Sequence, residues 1–210
     1  ASLFDHVCEP QHRARSYGVL RLRMAGPALV VGGTGMLRGV TLDLAARGWT
    51  VSVVARRHGP LAALRQDTAA RSGRPDAVNP VPVDYTDIGA LAAGIRAATT
   101  VHGPVELAVC YIHSNAPHAP IVVADMVANR LSSCPYIHIV GSTDPDELRI
   151  DANRDELSQM PGLRYRRVIL GFVLEGESAR WLNDDEIVTG VLGSICNESP
   201  EQVIGRVSPW

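Results

Sequence analysis

From Ala28 onward, short apolar runs alternate with amphipathic stretches of helical period. The apolar runs Ala28–Val31, Thr50–Ala55, Val81–Asp84, Glu106–His113, Tyr136–Val140 and Tyr165–Val173 are rich in β-branched residues and predict strands. The stretches Met36–Gly48, Pro60–Ser72, Ile88–His102, Ala119–Ser132, Pro145–Met160 and Asp184–Cys196 predict helices. Strands that are apolar throughout, each followed by a helix, imply a parallel sheet covered on both faces. The expected fold class is therefore α/β: a doubly wound parallel sheet in a three-layer α/β/α sandwich. Two helix starts carry extra signals. Asp144-Pro145-Asp146-Glu147 offers a cap, a proline at the first helical position and an acid, and Asn183-Asp184-Asp185-Glu186 repeats the cap-and-acid pattern.

Residues 1–24 read differently. They carry Arg13, Arg15, Arg21 and Arg23 with weak periodicity, and Met24-Ala-Gly-Pro looks like the start of the fold. The expectation is an N-terminal extension (1–24) ahead of one domain (25–210). The extension is either flexible or mis-started, or "YGVLRLRM" pairs onto a sheet edge or a neighbouring subunit.

Composition narrows the function classes. A chain of 210 residues with 46% hydrophobic content suits one domain with a large core. A net charge of -2 argues against a nucleic-acid or anionic-membrane partner. No apolar run reaches membrane-span length, and the start has no signal-peptide core. The cysteines Cys8, Cys110, Cys134 and Cys196 have no metal-ligand spacing, so a reduced, cytoplasmic protein without a metal is expected. All 20 basic residues are arginine. This fits the coding bias of a GC-rich, bacterial genome, and it excludes Schiff-base chemistry, a P-loop lysine and any lysine-assisted tyrosine acid.

The strongest motif is "ALVVGGTGMLRGV". Gly32, Gly33 and Gly35 sit where the first strand turns into the first helix. Backbone N–H groups without side chains in the way, over a helix N-terminus, are what a pyrophosphate needs. This points to a Rossmann-type nucleotide site, with a tight packing turn as the alternative. The second strand ends in "VSVVARRHG". Arg56 and Arg57 either pair with a ribose 2′-phosphate, implying NADP(H), or are solvated surface residues. Asp84 in "VPVDYTD" either accepts from an adenine amino group or, like Asp87, serves a loop or cap.

Together these residues resemble the short-chain dehydrogenase/reductase superfamily, in an atypical form, over about residues 26–205. "GGTGML", "VDYTD", "VELAVCYIHS", "YIHIVGS" and "WLNDDEIVTGVLGSI" carry the resemblance. It implies cofactor contacts from Gly32, Gly33, Thr34, Gly35, Met36 and Leu37, and from Asp84 and Tyr85. It implies others from Tyr111, Ile112 and His113, which replace the family's Asn-Ala-Gly, and from Gly171, in the Leu170-Gly171 that replaces a proline-glycine. It also implies a small-molecule substrate and a homo-oligomer, dimer or tetramer, usually built on the fourth and fifth helices. Pro145–Met160 is short and highly charged for that role.

The chain departs from the family where the acid is expected. Counting on from Ser142 reaches Asp155 and Gln159, not the Tyr-x-x-x-Lys pair. Arg38 takes the place of the last cradle glycine, and either points outward or adds charge near a phosphate. Gly39 follows one step later, where it permits close helix–sheet packing. His113 and Ser142 are the remaining catalytic candidates: an imidazole that titrates near neutrality, and a hydroxyl to hold a substrate atom. Each has a bland alternative, a cofactor-backbone or structural hydrogen bond for His113 and a turn residue for Ser142. Tyr136 and His138 read as core or cofactor-side residues, and His118, in a loop over the crevice, as a weaker substrate-side candidate. Tyr165, Arg166 and Arg167 read as surface, although an arginine there could face an acidic substrate. Phe172, Arg180 and Trp181 either line a substrate pocket or pack a loop.

The expected function is an NADPH-dependent oxidoreductase that reduces a C=N, C=O or activated C=C bond without the usual tyrosine and lysine. The rival is a nucleotide-binding protein with no redox turnover. A third reading is a cyclase or isomerase that uses His113 as acid/base.

Overall fold

The structure, a computed structural model, describes residues 25–142, 153–176 and 178–207. The expected extension (1–24) and the expected cap at Asp144 lie outside the described residues.

The strands are β1 (Pro27–Val31), β2 (Thr50–Ala55), β3 (Val78–Pro82), β4 (Leu107–Tyr111), β5 (Cys134–Gly141), β6 (Leu163–Leu170), β7 (Phe172–Glu175), β8 (Ser178–Trp181) and β9 (Glu201–Ile204). Seven of them form one parallel sheet in the order β3-β2-β1-β4-β5-β6-β9. The order reverses between β1 and β4, which opens a crevice beyond the strand C-termini. The remaining two, β7 and β8, make an antiparallel hairpin after β6. The helices are α1 (Arg38–Ala46), α2 (His58–Ser72), α3 (Ile88–His102), α4 (Ala119–Val127), α5 (Arg154–Gln159) and α6 (Asp184–Cys196).

Alternation along each strand divides the core in two. Ala28 and Val30 of β1 join one cluster with α1, α2 and α6, while Leu29 and Val31 join the other with α3, α4 and α5. This is the three-layer sandwich expected from continuously apolar strands.

Several boundaries differ from expectation. The third strand is Val78–Pro82, not Val81–Asp84. Its two prolines are tolerated because β3 is an edge strand. The fourth strand stops at Tyr111, leaving Ile112 and His113 in the following loop. The sixth does not run on to Val173. It ends at Leu170, and the next residue, Gly171, lies hard against Arg206, where a Cβ would stand 2.1 Å from the carbonyl oxygen. The helix expected over Pro145–Met160 is not one continuous element: α5 starts at Arg154 with Asn153 at its N-cap and ends at Gln159, and residues 143–152 lie outside the described residues.

Candidate cofactor and active site

The turn after β1 is built on Gly32. Its φ of +82° is the left-handed region that suits glycine, and its N–H donates to Val54 O at 3.0 Å. A Cβ there would stand 2.9 Å from Tyr111 O, so the turn also lies hard against the end of β4. Gly33 is packed from below by Val30, Val53 and Thr41. Gly35 faces open space. Leu37 is fully buried and Met36 packs partly against the same cluster, so the turn is anchored by its side chains and Leu37 offers a ligand only its main chain.

The N–H groups of Gly33, Thr34, Gly35, Met36 and Leu37 make no hydrogen bond among the described residues. The first turn of α1 has no acidic residue and no side-chain cap. Unpaired amides at a helix N-terminus, with the positive end of the helix dipole behind them, form a ready site for an anion.

Arg38 begins α1 and is paired with Asp67 of α2, so its guanidinium is directed away from the turn. The close approach falls one residue later. A Cβ on Gly39 would meet Val188 of α6 at 2.7 Å. Gly39 therefore allows two helices to pack together, where close helix–sheet packing was expected.

Beyond β2, the Arg56 side chain is 69% exposed and stands 3.7 Å from the carboxylate of Asp84. Arg57 occupies the exposed N-cap position of α2. Asp84 lies past the end of β3. One of its oxygens accepts from the N–H (3.0 Å) and hydroxyl (2.8 Å) of Thr86, the other pairs with Arg56. The bonds from Thr86, and then Arg56, hold its carboxyl below the usual aspartate range. Asp87 caps α3 through Ala90 N–H at 2.9 Å. Tyr85 packs against the α3/α4 core.

At the switch point, Tyr111 leans on the α1/α6 cluster and Ile112 is buried in the other. His113 is exposed, its ring edge-to-face with Tyr111 at 4.8 Å between centroids. Tyr111 lies opposite Ile139, so His113 and Ser142 both fall just past the C-terminal ends of neighbouring strands. The Ser142 N–H is held by Leu170 O at 2.9 Å, while its Oγ is buried with no hydrogen-bond partner among the described residues. A buried, unsatisfied hydroxyl costs about 1–3 kcal/mol, and a ligand atom removes that cost. Gly171 stands apart from this group: its N–H already serves Ile204 O, and its missing side chain makes room for Arg206.

No family model matches the chain, and no curated protein matches it. Solved structures do. A β-ketoacyl-ACP reductase from Bacteroides thetaiotaomicron superposes with a TM-score of 0.70 at 13% identity, over 86% of this chain and 97% of that one. The apo form of a Caenorhabditis elegans glucose dehydrogenase gives 0.70 at 16% identity, over 87% and 97%. A metagenomic short-chain oxidoreductase in complex with NADP gives 0.67 at 16% identity, over 88% and 98%. The chain has the fold of the short-chain dehydrogenases/reductases.

Within this short-chain dehydrogenase/reductase fold, the segment after β6 is a clamped hairpin. Arg180 of β8 bonds Glu175 of β7 (2.6 Å) and makes a two-pronged contact with Glu186 at the start of α6 (2.8 and 2.9 Å). Glu186 also closes the capping box with Asn183, as its sequence pattern predicts. The Arg180 contact, then the Asn183 N–H, pull the Glu186 carboxyl down to about 2. Phe172 is buried beneath the hairpin and Trp181 is half exposed on it.

Arg166 and Arg167 are not surface residues. They are only 7% and 5% exposed, because β6 is an interior strand. Arg167 pairs with Glu201 of β9 at 3.3 Å. Tyr136 and His138 are core residues with partners, Pro120 O for the phenol (3.0 Å) and the Tyr165 hydroxyl for the imidazole (3.1 Å). His118 sits exposed at the N-cap position of α4. Among the described residues, no helix is long and apolar enough to cross a membrane, and no group of three or more His, Cys, Asp or Glu is placed to hold a metal ion.

Proposed function

We propose that the chain is an NADP(H)-dependent oxidoreductase of the short-chain dehydrogenase/reductase type, working without the Tyr-x-x-x-Lys pair on a C=N, C=O or activated C=C bond of a small metabolite. The observation that carries this reading is the run of amides from Gly33 to Leu37 over the α1 N-terminus, with the buried Ser142 hydroxyl at the same end of the sheet, all without a hydrogen-bond partner among the described residues. The amides take the pyrophosphate, and Arg56, flanked by Arg57, takes the ribose 2′-phosphate.

The nicotinamide, when bound, supplies the hydride. For a C=N or C=O bond, His113 delivers a proton to the nitrogen or oxygen, and the Ser142 Oγ donates a hydrogen bond to that atom and holds it in place. Hydride on carbon and proton on the heteroatom complete the reduction; for an activated C=C bond the proton goes to the second carbon and Ser142 holds the activating heteroatom. A cyclic iminium arrives already protonated and needs least from these two residues, which makes it the favoured substrate class. The free thiols of Cys110 and Cys134, pushed up to about 12 by burial, suit a reducing cytoplasm. A homo-oligomer is expected from the resemblance.

The test is transfer from NADPH deuterated at one face of the nicotinamide, offered with cyclic imines and with ordinary ketones. Stereospecific deuterium incorporation, faster into the imine, is the expected result. NADPH binding without transfer to any acceptor overturns the redox reading in favour of a nucleotide-binding protein without turnover. Transfer at equal rates to ketones overturns the imine preference.

A further inference from the structure

A second concavity lies at the end of the sheet opposite the glycine turn. A cavity of about 730 Å³ opens among the N-terminal ends of β4, β5 and β6, the C-terminus of α6 and Trp49. That volume falls within the range of small-molecule sites. Ile195 and the edges of the otherwise buried Trp49 and Leu107 give it apolar surface, and Arg164, Arg166 and Glu198 give it charge. Glu106 also lies on the wall, with its carboxylate against Gly26.

Arg164 and Arg166 are two apart on β6, so both side chains leave the same face, the one covered by α6. The Arg166 guanidinium donates to the carbonyls of Ile195 (3.4 Å) and Asn197 (3.0 Å) at the end of α6. The only carboxylate paired with these two cations among the described residues belongs to Glu198. It stands 3.6 Å from Arg166 and 4.0 Å from Arg164, beyond hydrogen-bond length, and its side chain is 82% exposed. Two guanidinium groups thus share one loosely held counter-ion. Burial lowers the pKa of Arg166, the mark of a cation short of compensation. On the wall of the same cavity, Trp49 is 4% exposed and its Nε1 has no hydrogen-bond partner among the described residues.

We infer that this cavity is a second small-molecule site, built for an amphipathic carboxylate. Arg164 and Arg166 take the carboxylate in place of Glu198, and the apolar body lies along Trp49, Leu107 and Ile195. The Glu198 side chain occupies the arginines while the site is empty. The site is independent of the cofactor crevice and of the redox reading.

The experiment titrates the full chain with sodium decanoate, and with 1-decanol as the neutral control. The Trp49 indole N–H is followed by NMR, its resonance assigned through Trp49→Phe. Decanoate is expected to shift that resonance saturably with a Kd of about 1 mM or tighter, and decanol to bind at least about tenfold more weakly. Arg164→Gln, at a partly exposed site, is expected to weaken decanoate about tenfold, and Glu198→Gln to tighten it severalfold. An unmoved Trp49 resonance, equal binding of decanol, a shift confined to the other indoles, or weaker binding by Glu198→Gln overturns the inference. A Trp49 shift that follows protein concentration without ligand also overturns it, in favour of a second copy on this face.

Discussion

Gly39 of α1 lies directly against Val188 of α6: a Cβ on the glycine would stand 2.7 Å from one Val188 methyl and 3.1 Å from the other. Both helices cover the same face of the sheet, so neither withdraws without opening the core. Gly39→Ala should therefore destabilise the fold by about 1–3 kcal/mol, the usual cost of overpacking. Val188→Ala in the same chain should restore part of the loss. Urea midpoints of the two single variants and the double variant check this. Purely additive losses would mean that the two side chains do not collide.

Arg56 should decide between the two nicotinamide cofactors. Arg56→Ala is expected to weaken NADPH binding by about tenfold or more while leaving NADH nearly unchanged, since only NADPH carries the 2′-phosphate. Fluorescence titration of both cofactors measures it. Equal losses for the two would remove the arginine from the phosphate site.

Ser142 should separate stability from turnover. Its Oγ is buried with no hydrogen-bond partner among the described residues, so Ser142→Ala removes a desolvation cost and is expected to leave the melting temperature unchanged or slightly higher. If the hydroxyl holds the reacting heteroatom, turnover should fall about a hundredfold in the same variant. His113→Gln should match that loss, because the exposed imidazole supports little of the core. A destabilised Ser142→Ala variant with normal turnover would mark the serine as a turn residue.

The hairpin clamp should be acid-labile. The Glu186 carboxyl titrates at about 2 in the fold and at the ordinary glutamate value, about 4.3, when unfolded. Its folded pKa is depressed, so its contribution is complete above the unfolded value and is lost as pH falls from about 4.3 toward 2. Trp181 fluorescence should report this local loosening in that window, and Glu186→Gln should abolish the pH step. The same step in the variant would assign the transition to other carboxylates.

The sheet was legible because its strands are buried on both faces and so read as unbroken apolar runs, from Ala28, Leu29 and Val30 in β1 to Val168 and Ile169 in β6. What stayed hidden was short or polar. Strand β9, Glu201–Ile204, carries only one buried residue, and β8, Ser178–Trp181, carries none. The close approach of Arg206 to Gly171, just past the end of β6, is something no local pattern announces. At the site, the glycine turn, Arg56 and Ser142 stood out by type and position. The partners that define them did not: Asp84 is linked to Arg56 and Thr86, and Arg166 is buried despite its charge, because these depend on which strands lie side by side.

Strand β3 closes one side of the sheet in a chemical sense as well as a geometric one. Val83 N–H donates inward to Ala55 O, so residues at two-residue steps from it, Val81 and Asn79, face β2, and the intervening Pro80 and Pro82 present their nitrogens outward. Neither proline has a hydrogen to offer. An extended chain that met this edge in a crowded solution would find two of its donors missing along a five-residue strand, and it would gain too few bonds to stay. The margin most exposed to stray strand addition and aggregation is thereby made unable to seed it.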